Sequence, residues 1–214
     1  MDAPLSNILP IIISFLFIGG IITLIVYLNN RQMEKLHNNF RRLADEFRLN
    51  YIEPEKKWWK RDYPVVDGML LDRHVRIGMR VVGSGKHRQE YTYISMDCTS
   101  KGYTMSLTQE GFLGKVGKFF GGQDIQIGDQ AFDAAFIIKG NNERIIKNLL
   151  DASTKRMLVE NRSNLIGKLE VRHNKVYYEA VYQMYYEKNY RVIRQIIKVM
   201  ETFAKRTDEV QHYI

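Results

Sequence analysis

Residues 8–28 run without a single charged side chain, and no other feature constrains the chain so tightly. As a helix rising 1.5 Å per residue, this stretch spans roughly 31 Å, which matches a bilayer hydrocarbon core of about 30 Å. Ile8, Ile12, Phe15, Phe17, Ile21, Leu24 and Tyr27 are the expected anchor residues, with Tyr27 where interfacial aromatics collect. Pro10 falls in the first turn, where a missing N–H is tolerated. Gly19 and Gly20 allow close helix packing, though a lone glycine pair is weak evidence for dimerisation. The leader holds Asp2 and no Lys or Arg, and Leu28-Asn-Asn-Arg31 offers no small-x-small cleavage site. The segment therefore reads as an anchor rather than a cleaved signal peptide.

The flanks set the expected orientation. Arg31, Lys35, Arg41, Arg42 and Arg48 follow the span, and no basic residue precedes it. Positive-inside bias then leaves a short tail outside and the remaining chain in the cytoplasm. The net charge of +8 comes from basic residues spread among acids. That pattern points to a cytoplasmic membrane protein, leaves room for an anionic leaflet or acidic partner, and does not point to nucleic acid.

Past the anchor (1–30), an amphipathic juxtamembrane helix is expected over 31–50. Met33, Leu36, Phe40, Leu43 and Phe47 recur at helical spacing. This stripe either packs on the chain's own sheet or forms a short coiled coil between two chains, giving a homodimer. Two to three heptads fall short of a firm coiled-coil signal. Pro54 forces its neighbour out of the helical region. Lys56-Lys-Trp58-Trp59-Lys-Arg61 suits either a surface segment with one Trp tucked into the core or a lipid interface.

A single domain is expected over 51–207, with a tail at 208–214. Strands are predicted at 65–70, 74–82, 91–98 and 103–107, and the stretches 125–127 and 135–139 are expected to flank a turn region. A hairpin of 165–171 with 175–182 should turn at His173-Asn174. Helices are predicted at 141–150, capped by Asn141 or Asn142, at 153–158, and along Tyr190, Ile193, Ile197, Met200 and Ala204. This order gives an α+β fold: an antiparallel sheet with helices packed on one face, behind a single N-terminal transmembrane helix.

Chemistry has few footholds. Cys98 reads as a small buried hydrophobe, with no histidine near in sequence to make it a nucleophile. Gly83-Ser-Gly-Lys86 lacks the upstream glycine and the following Ser or Thr of a phosphate loop, so it reads as a hairpin turn. No catalytic residue, metal site or cofactor is assigned. Gly111 to Gly122 is either a packed segment or a lid touching lipid through Phe112, Phe119 and Phe120. Asp129 is expected to cap a helical turn that brings Phe132 and Phe136 to the core together. Asp129 and Asp133, one turn apart, are the alternative carboxylate pair.

The stretch Gly128-Asp129-Gln-Ala-Phe132-Asp133-Ala-Ala-Phe136 resembles a signature of uncharacterised, membrane-anchored bacterial α+β domains. The resemblance covers roughly residues 35–206 and implies a bacterial origin and a shared fold, with no activity attached. The chain is therefore expected to be a non-enzymatic interaction or scaffold protein of the bacterial inner membrane. Its partners would be the bilayer and a protein, and its domain would lie on the cytoplasmic side. A small-ligand or lipid-binding sensor, or a hydrolase with a pocket under the 111–122 loop, is the alternative.

Overall fold

A computed structural model describes residues 5–55, 62–109 and 123–210. Helix α1, Leu5–Phe47, runs unbroken for 43 residues, about 65 Å at the usual rise. Its N-terminal part is long and apolar enough to cross a membrane. Ile12, Phe15, Phe17, Ile21, Leu24 and Tyr27 all lie exposed on it. Ser14 and Thr23 donate back to the Pro10 and Gly19 carbonyls at 2.8 Å each. Their hydroxyls are thus satisfied inside the helix, as an apolar medium requires.

The C-terminal part of α1 belongs to the domain. Leu36, Phe40, Leu43 and Ala44 are fully buried, with Met33 and Phe47 partly so. The apolar stripe packs on the chain's own sheet. At Arg48 the backbone turns left-handed (φ 54°), and Leu49 N–H closes on the Ala44 carbonyl at 2.8 Å. The chain then doubles back as β1, Asn50–Ile52, a short edge strand the sequence pattern did not announce.

The other strands are β2 (Val65–Leu70), β3 (Arg73–Val82), β4 (Gln89–Asp97), β5 (Met105–Gln109), β6 (Gln123–Asp124), β7 (Phe136–Gly140), β8 (Lys168–Arg172) and β9 (Lys175–Ala180). Among the described residues they form one nine-stranded sheet in the order β1-β2-β3-β4-β9-β8-β5-β7-β6. All the pairings are antiparallel. Helices α2 (Gln130–Asp133), α3 (Glu143–Leu149), α4 (Ala152–Glu160) and α5 (Glu187–Glu209) complete the fold.

Strand alternation divides the sheet into two faces. Val75, Ile77, Ile94, Met96, Val176, Tyr178, Leu169, Leu107 and Ile138 point to the core, where α1 and α5 bring Phe40, Leu43, Ile193, Ile197 and Met200. The opposite face carries Arg76, Tyr93, Tyr177, Glu179, Glu170 and Lys139. The architecture is α+β, as the element order predicts.

Local signals explain most boundaries. Asn142 caps α3 by accepting from Ile145 N at 3.1 Å, while its neighbour Asn141 accepts from Thr104 N instead. His173 and Asn174 both take left-handed angles, φ 48° and 57°, and so close the β8–β9 hairpin in the sense strand twist favours. Lys101 and Gly102 also turn left-handed, which delays β5 to Met105, beyond the start suggested by Tyr103. Ile125, which follows β6, buries its side chain.

The sheet has a definite polarity relative to α1. Asn39 contacts Met184, Arg42 contacts Glu187, and Glu46 contacts Tyr190 and Arg194. Helix α5 therefore runs beside α1 in the same direction. At its far end Asp208 accepts from Thr99 N and pairs with Arg73. The β3–β4 turn and the end of β9 thus lie toward the apolar half of α1. The β4–β5 and β8–β9 turns lie away from it.

Candidate functional site

The open face of the sheet is the candidate site, and strand register builds it. One row across the sheet reads Gly78, Tyr93, Glu179, Lys168, Thr108. The next reads Asp67, Arg76, Ser95, Tyr177, Glu170, Ser106, Lys139. Opposite charges and aromatic rings therefore meet as cross-strand neighbours, an arrangement that stabilises a sheet face, and over β5 and β8 Thr108, Lys168 and Glu170 are buried.

The contacts are specific. Arg80 grips the Glu179 carboxylate through Nε and Nη2 at 2.5 and 2.6 Å. Tyr93 and Tyr177 stack at 6.1 Å between centroids, with their planes 14° apart. The Arg172 guanidinium lies 5.0 Å over the Tyr177 ring. Gly78 makes the stack geometrically feasible, because a Cβ there would stand 2.6 Å from the Tyr93 hydroxyl. The Glu170 carboxylate is almost fully buried between Lys168 Nζ at 2.5 Å and Arg172 Nε at 3.6 Å.

At the end of this face away from the apolar half of α1, a cavity of about 260 Å³ opens between β5, β7 and β8. Ser106, Lys139, Asn141, Glu170, Arg172 and His173 line it. Lys139 already pairs with Asp124 at 3.2 Å. The volume lies just under the ~300–1,000 Å³ usual for small-molecule pockets. Met105 and Val171 add apolar surface, so the cavity suits a small amphipathic group or an inserted side chain.

The signature stretch is structural in its geometry. Asp129 caps α2 by accepting from Phe132 N at 3.2 Å and also pairs with Lys155 at 2.6 Å. The Lys155 ammonium, with the Phe132 N–H, holds the Asp129 carboxyl below the usual carboxylate range. Asp133 accepts from Ile127 N and Gly128 N, each at 3.0 Å. Gly128 takes φ 82°, a conformation that suits glycine. Phe132 and Phe136 are both buried, their rings 4.9 Å apart. The two carboxylates face different backbone segments and do not share a ligand position. Among the described residues no cluster of His, Cys, Asp or Glu has metal-site geometry.

Cys98 is buried, and that burial, with Asp208 nearby, pushes its thiol up to about 12. A thiol so placed is not an activated nucleophile. Trp58, Trp59, Phe112, Phe119 and Phe120 lie outside the described residues.

Sequence reasoning missed the open face. The alternation Tyr91, Tyr93, Ser95, Asp97 in β4 and Lys175, Tyr177, Glu179 in β9 marks those residues as one side of each strand. That β9 inserts beside β4 is a long-range fact, which neither strand encodes alone.

No protein-family model matches the chain, and no curated protein matches it. Among solved structures, it is similar to the crystal structure of the mycobacterial trehalose monomycolate transport factor A. The TM-score is 0.51 at 12% identity, covering 82% of this chain and 93% of that one. At that identity the likeness is one of fold: a sheet backed by helices on one face.

Proposed function

We propose that this protein is a single-pass, non-enzymatic interaction domain of a bacterial inner membrane. Its open sheet face would receive a protein partner on the cytoplasmic side. The observation that carries this reading is the continuity of α1, whose apolar half has the dimensions of a span and whose other half fills the core. Such a helix fixes the domain's orientation to the bilayer, which suits presentation of a surface to a neighbour in the same membrane. The basic flank from Arg31 to Arg48 supports the cytoplasmic side.

Membership in the bacterial family with the Gly-Asp-x-x-Phe-Asp-x-x-Phe signature belongs to the same proposal. The acidic residues of that signature cap and brace backbone, which favours binding over catalysis. Self-association would run through the span, because the 33–47 stripe already packs on the domain. The cavity between β5, β7 and β8, with Lys139 and Arg172 in its lining, favours a second reading, recognition of a small or lipid-derived headgroup. The shared fold with a trehalose monomycolate transport factor is compatible with a role in lipid traffic.

The test places a photo-crosslinking residue at Tyr93 or Ser95 on the open face, with Val159 on α4 as the control, in cells making the full chain. A defined protein adduct from the face positions alone supports the partner reading. Lipid adducts from the same positions move the assignment to the second reading. Equal labelling at Val159 overturns both. A C-terminal reporter active only outside the cytoplasm would overturn the orientation.

A further inference from the structure

The β3–β4 hairpin lies at the end of the sheet that faces the apolar half of α1. We propose that its tip, Val81 to Arg88, rests in the headgroup layer of the bilayer that α1 crosses, so the domain holds its membrane at two points. The inference rests on the reading of α1 as a span, and distances along α1 and β4 carry it further.

Leu28 ends the apolar run, and Asn39 is the residue of α1 that touches Met184. Eleven helical steps separate Leu28 from Asn39, about 16 Å along the axis. Tyr182, two residues before Met184, accepts from the Thr92 hydroxyl at 2.6 Å, so Thr92 in β4 stands at nearly the same level. From Thr92 back to Gln89 the strand advances about 10 Å toward the span. The 3-10 turn Gly85–His87 lies beyond that again. The tip is therefore within several ångströms of the hydrocarbon boundary. A headgroup layer, about 5–8 Å thick on each side, occupies that depth.

The chemistry of the tip fits that location. Every residue from Val81 to Gln89 is exposed. Val81 and Val82 present apolar side chains to the outside. Lys86, His87 and Arg88 follow within the turn, so cationic groups and small apolar ones sit together. Anionic headgroups attract the first, and the interfacial boundary accepts the second. On the same end, Val181 and Tyr186 are also exposed. Arg31 and Lys35 are exposed on α1 within two turns of Leu28, so further basic groups stand at a matching depth along the helix. Gly83, at φ 82°, lets the hairpin close tightly, since a Cβ there would run into the His87 carbonyl.

The far end of the sheet supplies the contrast. Its Leu71-Asp72 turn lies roughly the length of β3, some 30 Å, further from the bilayer.

The test uses the full chain in nanodiscs of phosphatidylglycerol and phosphatidylcholine, carrying lipids with nitroxide on the headgroup or mid-chain. Single labelled cysteines replace Ile18, Ser84 or Asp72 in a Cys98→Ala background. The expected result is quenching of the Ile18 label by mid-chain nitroxide and of the Ser84 label by headgroup nitroxide. The Asp72 label should be unaffected. Lys86→Glu with Arg88→Glu should lower quenching at Ser84 at least two-fold while leaving Ile18 unchanged. An unquenched Ser84 label beside a quenched Ile18 label overturns the second contact and leaves the span standing. An unquenched Ile18 label overturns both. Quenching of Asp72 equal to that of Ser84 also overturns the proposal, because the domain would then lie on its side.

Discussion

Asn39 on α1 donates through Nδ2 to the Met184 carbonyl at 2.7 Å, joining residues 145 positions apart. The amide is buried, and its oxygen accepts from Arg42 at 3.2 Å. Asn39→Leu fills the space but leaves the Met184 carbonyl without that donor, which typically costs about 1–3 kcal/mol. For a domain of this size that is roughly a 2–12 °C fall in Tm. Thermal unfolding followed by near-ultraviolet circular dichroism in detergent checks it. An unchanged midpoint would mean that the contact does not hold the two helices together.

The same relationship fixes where the domain begins. Leu36, Phe40 and Leu43 fill the space over β1 and β2, so α1 cannot be cut at its C-terminal end without opening the core. A chain of residues 31–214 is expected to fold and unfold cooperatively, while one of residues 50–214 is not. Phe40→Ala in the longer chain should cost about 3–5 kcal/mol, as large-to-small changes at filled sites do. Denaturant titration of all three settles it. A cooperative transition for 50–214 would show that α1 is only a tether.

Alkaline pH should weaken the fold from about pH 9 upward. Burial, with Asp208 adding to it, pushes the Cys98 thiol from its ordinary 9.0 to about 12. Burial and the hydrogen bond to Glu90 push Tyr63 from 10.0 to about 12. In both cases the folded protein keeps a proton that the unfolded chain gives up. The unfolded state therefore binds fewer protons above about pH 9, and stability falls as pH rises toward 12. Below pH 9 the contribution is complete. Urea midpoints at pH 8 and pH 10.5 should show the loss, and Cys98→Ala should lessen the slope. Native Cys98 should also resist maleimide at pH 8 and react at once in urea. A flat profile across this range would contradict the burial of both groups.

What the sequence shows and hides follows from the range of the forces involved. The run from Ile8 to Leu28, the caps at Asp129 and Asn142, the left-handed pair His173-Asn174 and the stripe of α5 are local patterns, and each predicts its element. The stripe from Met33 to Phe47 predicts a helix but not what covers it, because a sheet of the same chain and a second copy present similar apolar surfaces. β1 is only three residues long and two residues short of Pro54, too brief for alternation to register. The open face is the hardest to read. Tyr93 and Tyr177 stack because β9 lies beside β4. Those neighbours are set by chain packing over more than 80 residues of separation, a scale at which no periodicity survives.

Gly167 offers a test of that long-range packing. It lies just before β8, where an added Cβ would collide with the Glu179 carbonyl and stand 2.6 Å from the Ala180 Cβ. Its backbone is not left-handed, so the requirement is for space alone. Two strand backbones have to separate to admit even a methyl group, and Tyr178 Oη, which accepts from Gly167 N at 3.1 Å, would lose its position as well. Gly167→Ala is expected to destabilise the domain by about 1–3 kcal/mol, as overpacking does. Gly85→Asn is the control, since Gly85 has φ 55° and open space around its Cα. Asparagine accepts that conformation at a cost of a few tenths of a kcal/mol, in line with its use at left-handed helix ends. Paired urea titrations compare them. Equal stabilities would show that β8 and β9 are looser at their span-facing end than the contact at Gly167 requires.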